Sequence, residues 1–127
     1  VFWIFIQMAK SFASTIPPLV SDVESALNAV ATSLSASAID DLDAKKEKLF
    51  DVGNMQIMAL PGITDGSPVA SAAEAIAGTT RLLVRVNLRS LISAARNGDS
   101  SKVSSLTAKA QTLIAKLYQQ CNDLASA

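Results

Sequence analysis

The apolar residues of two stretches recur at steps of three and four: Val20, Val23, Leu27, Val30 and Leu34 in the first, and Val103, Leu106, Ala110, Leu113, Leu117 and Leu124 in the second. That spacing keeps every one of them on one side of a helix, whereas a strand would need a period of two. Lys102, Lys109 and Lys116 recur every seven residues on the second stretch, away from the middle of its seam. Two less regular helical stretches lie between, one with Leu42, Leu49, Val52 and Ile57 near one side, the other opening at Pro68. Composition agrees: 21 alanines and 16 serines among 127 residues, against six aromatics, favour helices that approach closely over a sheet.

The punctuation divides the chain. Ser67-Pro68 reads as an N-cap followed by a first-turn proline, and Asn97-Gly98 as a helix end, with Asp99 or Ser100 able to cap the final helix. Pro61-Gly62 through Gly66 is a loop, and Pro17-Pro18 a break or a kink. The expectation is an all-α single domain over 1–127: an antiparallel four-helix bundle with helices at 18–36, 39–60, 68–97 and 100–125, and an additional helical N-terminal segment over 1–16. The third helix carries Ile76, Leu82, Leu83, Val84, Val86, Leu88, Leu91 and Ile92 around much of its circumference, with Arg81, Arg85, Arg89 and Arg96 on one stripe. It reads as an interior helix with one charged edge.

Little chemistry is available. Eleven basic and eleven acidic residues cancel, which argues against a nucleic-acid partner. The absence of histidine removes the commonest general base and metal ligand, and one cysteine excludes a disulfide framework or a cysteine zinc cluster. Asp40, Asp41, Asp43 and Glu47 lack the glycine and ligand spacing of a calcium loop, and read as first-turn acids facing the helix dipole. Cys121 reads as a buried structural residue, since nothing is present to activate it. No catalytic residue, cofactor site or metal site is expected.

Two features suit a partner. The N-terminal V-F-W-I-F-I-Q-M holds Phe2, Trp3 and Phe5, with Phe12 close behind. It reads as a half-helix packed on the bundle or as a self-association surface; the trailing part of a secretory signal and an arm inserting into a membrane surface or a partner stay open. It is too short to span a bilayer. The second feature is Arg81, Arg85 and Arg89 with Leu88 and Ile92 placed beside them, a mixed strip suited to a partner's amphipathic helix, or else a solvated edge pairing with Glu74, Asp22 or Glu24.

Ile16 to Leu27, I-P-P-L-V-S-D-V-E-S-A-L, and Val69 to Leu91, with its Thr80-Arg81-Leu82-Leu83-Val84 core, resemble the N-terminal head of the vinculin/α-catenin family. Together they span about a third of the chain. The aromatic N-terminus has no counterpart in that pattern, and Asp40 to Lys48 matches it poorly. The resemblance implies a cytoplasmic, junction-associated adaptor that binds an amphipathic helix and links membrane complexes to actin. The expected function is thus a non-enzymatic helical interaction module that forms a homodimer through its N-terminal segment. The alternative is a secreted or peripheral carrier of a small apolar ligand or lipid, walled by Ile76, Leu83 and Leu91.

Overall fold

A computed structural model describes residues 2–127, with side chains from Trp3 onward. Its elements are α1 (Phe2–Ser33), α2 (Ala36–Phe50), α3 (Pro68–Arg81), α4 (Arg89–Arg96) and α5 (Ser100–Ser126). A π-helical segment, Asp51–Gln56, prolongs α2, and a second, Leu82–Leu88, joins α3 to α4 without a break. The chain is all-helical, and no strand occurs among the described residues. Four rods result: α1, α2 with its π segment, the α3–α4 rod, and α5.

The largest departure from expectation lies in α1. Pro17 and Pro18 sit inside a continuous helix of 32 residues, about 48 Å long at 1.5 Å per residue. The buried positions explain it: Phe5, Ala9, Phe12, Ile16, Val20, Val23, Leu27 and Val30 form one stripe that holds its phase across the prolines. The seam therefore begins at Phe5, not Val20, and residues 2–16 extend the first bundle helix instead of forming a separate one. The prolines remove the N–H groups that would have bonded to the carbonyls of Ala13 and Ser14, and they lie on the half-exposed and exposed side, where water can serve those carbonyls.

Side-chain caps set the other boundaries. The Ser35 hydroxyl accepts from the Ala38 N–H at 3.2 Å, Ser67 from Ala70 at 3.2 Å, and the Asp99 carboxylate from Lys102 at 3.1 Å. Gly98, at φ +71°, supplies the left-handed turn that ends α4. At the end of α1 the same role falls to Leu34, at φ +51°.

α1 packs along α2 on one side and α5 on the other, and touches α3 only lightly; the α3–α4 rod closes the bundle against α2 and α5. The core runs the length of all four rods, with Ile16, Leu27, Leu42, Leu49, Ile57, Ile76, Leu83, Leu88, Leu91, Ile114, Leu117 and Leu124 fully enclosed. Leu60 and Ile63, in the loop between α2 and α3, join this core, and Phe5 lies beside Gly62. The N-terminal half of α1 is thereby held to that loop. Cys121 is buried on the α5 seam, and burial pushes its thiol up to about 11.

The first π segment packs against α3. Gly53 faces Thr80, and a Cβ placed on Gly53 would come within 2.8 Å of Thr80 Oγ1 and 3.1 Å of Cγ2. Thr80 is fully buried and its hydroxyl has no hydrogen-bond partner. Gly53→Ala is expected to destabilise the fold by about 1–3 kcal/mol through overpacking. Thr80→Ala should restore most of that loss in the double variant, because it removes both clashing atoms, as denaturant midpoints of the four proteins would show. Replacing Pro17 and Pro18 by alanine should raise stability by about 1–3 kcal/mol on the same measurement, restored helical hydrogen bonds outweighing the greater freedom of the unfolded chain.

Candidate interaction surfaces

Three acids of α2, Asp40, Asp43 and Glu47, meet arginines of the α3–α4 rod, while Asp41 pairs with Lys45 of its own helix. Arg85 pairs bidentately with Glu47, its Nη2 donating to Oε2 at 3.1 Å, and its guanidinium lies 3.9 Å from the centre of the Phe50 ring. Arg96 donates to Asp40 at 3.2 Å and approaches Asp43 at 3.8 Å. Arg81 donates to the side-chain oxygen of the buried Asn54. These partners differ from the expected Glu74, Asp22 and Glu24. The acids also lie beyond the first turn of α2, which starts at Ala36, so their role is cross-helix pairing more than capping.

Lys46 completes the network from the α2 side, with Nζ 2.9 Å from Asp43 and 2.7 Å from Glu47. Burial disfavours its charge, yet the hydrogen bonds to Glu47 and Asp43 outweigh that and leave its pKa raised. Hydrogen bonds from Arg85 and then Lys46 hold the Glu47 carboxyl down at about 2. A carboxylate depressed in the folded state stabilises the fold above its unfolded pKa, and that contribution fades as pH falls through the folded value.

The expected strip of Arg81, Arg85 and Arg89 beside Leu88 and Ile92 is not formed. Leu88 and Ile92 are buried in the core, a correction with a physical reason: Arg85 and Arg96 lean toward α2 from the edge of the rod, so residues three or four places away fall on the flank that packs inward. The outward apolar residues are Leu82 and Val86, 51% and 60% exposed, on the edge of the rod that borders α5. The rod is therefore not interior on all sides. Its apolar residues encircle it because the π segment turns Leu82 and Val86 outward while Leu83 and Val84 face in. Leu82, Val86, Asn87 and Ser90 form one wall of a groove of about 420 Å³, and Leu106, Lys109, Thr112 and Leu113 of α5 form the other.

The N-terminal candidates divide in the same way. Phe5 and Phe12 belong to the core, so neither is free for a partner, and the side chain of Phe2 lies outside the described residues. Trp3 is 66% exposed, and Ile4 and Met8 are 56% and 47% exposed. Ile4 and Met8, with Phe5, Leu60 and Pro61, line an apolar hollow of about 140 Å³ at this end of the molecule. Aromatic character alone does not separate these residues; the period of the α1 stripe is the signal that sets buried Phe5 and Phe12 apart from exposed Trp3, Ile4 and Met8.

Ile76, Leu83 and Leu91, the wall expected for an apolar carrier, are fully buried members of the packed core, and neither hollow is lined by them. Among the described residues no three His, Cys, Asp or Glu side chains are grouped to hold a metal ion. No helix described is long and apolar enough to cross a membrane. Comparison with known protein families, curated proteins and solved structures finds no match to this chain.

The native chain is expected to lose stability as pH falls from about 4.5 to about 2, and Glu47→Gln to flatten that loss. The effect at neutral pH should stay under about 1 kcal/mol, since the pair with Arg85 is half exposed. Thermal melts across that pH range would read both.

Proposed function

We propose that this chain is a non-enzymatic helical interaction module that self-associates through the N-terminal end of α1. The observation that carries the reading is the exposed apolar group Trp3, Ile4 and Met8 at the end of α1, of which Ile4 and Met8 line a hollow with Phe5, Leu60 and Pro61. Three large apolar side chains on one end of a helix are what a two-fold interface buries against its own copy, each contributing roughly 1.5–3 kcal/mol when fully covered. Because Phe5 ties this end to the loop between α2 and α3, the surface is preorganised, which lowers the ordering cost of association.

The finer architecture fits this reading. Asp40 pairs with Arg96, Glu47 with Arg85 and Asn54 with Arg81, so positions ascend along one rod as they descend along the other. Together with the short connections after Ser33 and Arg96, that supports an antiparallel bundle. A place in a cell-adhesion or cytoskeletal complex is a narrower form of the same proposal, resting on the resemblance of Ile16–Leu27 and Val69–Leu91 to the vinculin/α-catenin head.

The test is sedimentation equilibrium of the native chain beside a Trp3→Ser, Ile4→Ser, Met8→Ser variant. All three positions are exposed, so the variant should keep the native helical circular dichroism. The native chain should populate a dimer and the variant should weaken it at least tenfold. Identical association of the two, or a native chain that stays monomeric at high micromolar concentration, overturns self-association through this end.

A further inference from the structure

The formal neutrality of the chain conceals a sharp division of charge. No acidic residue occurs from 75 to 98 or from 100 to 122, and these two stretches hold seven of the eleven bases: Arg81, Arg85, Arg89, Arg96, Lys102, Lys109 and Lys116. α2 engages Arg85 and Arg96, and the π segment that prolongs it engages Arg81. Arg89 and the three lysines have no ion-pair partner among the described residues, and all four are exposed. The groove between the second π segment and α5 lies in this region, with Lys109 in its wall and Lys102 and Lys116 one heptad to either side on the same helix face.

The shape of the groove narrows the choice of occupant. Leu82 and Val86 form one apolar ridge, and Leu106 and Leu113 the other, spanning about 10 Å along α5 at 1.5 Å per residue. Leu82 and Val86 remain mostly exposed, so the groove is shallow. A single acyl chain laid in it would stay largely in water, whereas small-molecule sites enclose most of their ligand. A helix inserts an apolar ridge between two such walls and covers both, with its flanks falling beside Arg89 and Lys109. Acidic flanks would meet cations that have no ion-pair partner among the described residues.

We infer that the groove between Leu82–Val86 and Leu106–Leu113 is a docking site for an acidic amphipathic helix of a partner protein. The site goes beyond self-association at the N-terminal end and shares no residue with it. Apolar residues at i, i+4 and i+7 of the partner fill the groove, and glutamates or aspartates beside them pair with Arg89, Lys102, Lys109 and Lys116.

The probe is a synthetic 18-residue helical peptide with a leucine seam flanked by glutamates, compared with its lysine-flanked twin by fluorescence anisotropy on the full chain. The glutamate peptide should bind saturably, at least tenfold tighter than the lysine peptide, and weaken as salt rises. Val86→Ser and Lys109→Glu, both at exposed positions, should each weaken it at least tenfold, and Lys109→Glu should favour the lysine peptide. The Trp3→Ser, Ile4→Ser, Met8→Ser variant should bind the glutamate peptide as the native chain does. Equal binding of the two peptides, or binding of neither, overturns the inference. So does loss of binding in the N-terminal variant alone, which would place the peptide at the self-association end, or binding of sodium dodecanoate that Val86→Ser abolishes while the peptide is ignored. Failure of the dimer with the peptide results intact would overturn only the self-association reading.

Discussion

Everything in this bundle depends on the unbroken apolar stripe that α1 carries from Phe5 to Val30. Two adjacent prolines inside a helix are costly, and they are held there because the stripe on either side remains in phase and buried against α2 and α5. The long helix carries Phe5 to the loop between α2 and α3, which fixes Leu60 and Ile63 in the core. The exposed Trp3, Ile4 and Met8 are consequently displayed on a rigid element. A break at Pro17 would have left the same residues on a loose arm.

A second layer of organisation is electrostatic. Three side chains of the α2 rod, spaced about two turns apart, meet arginines of the α3–α4 rod, and Lys46 lies buried in their midst. Individually such half-exposed pairs contribute little, but they fix which face of the α3–α4 rod turns toward α2. The opposite edge of that rod then faces α5 and solvent, and this is where unpaired cations and the apolar ridge coincide. Pairing on one side thus leaves the other side chemically distinct.

Much of the helical layout was legible in the residues. Ser67, Asp99 and Gly98 end or begin helices as their side chains or backbone freedom require, and Cys121 is enclosed as its seam position implies. The continuity of α1 was obscured because proline is a strong local signal, while the stripe beneath it is a weak one spread from Phe5 to Val30. The arginine partners could not be read because spacing along one helix says nothing of which helix lies opposite. Leu88 and Ile92 were misplaced because a residue three or four places from an exposed arginine can still fall on the flank that packs into the core, and a π segment shifts the phase further.

The enclosed Cys121 has a use outside function. A thiol so shielded, and with so little thiolate at neutral pH, reacts with a labelling reagent only when α5 parts from the rest of the bundle. With no other cysteine in the chain, its rate of modification is a clean count of those openings. The molecule carries a built-in clock for how often its core comes apart, and that clock can be read without attaching a dye or changing a residue.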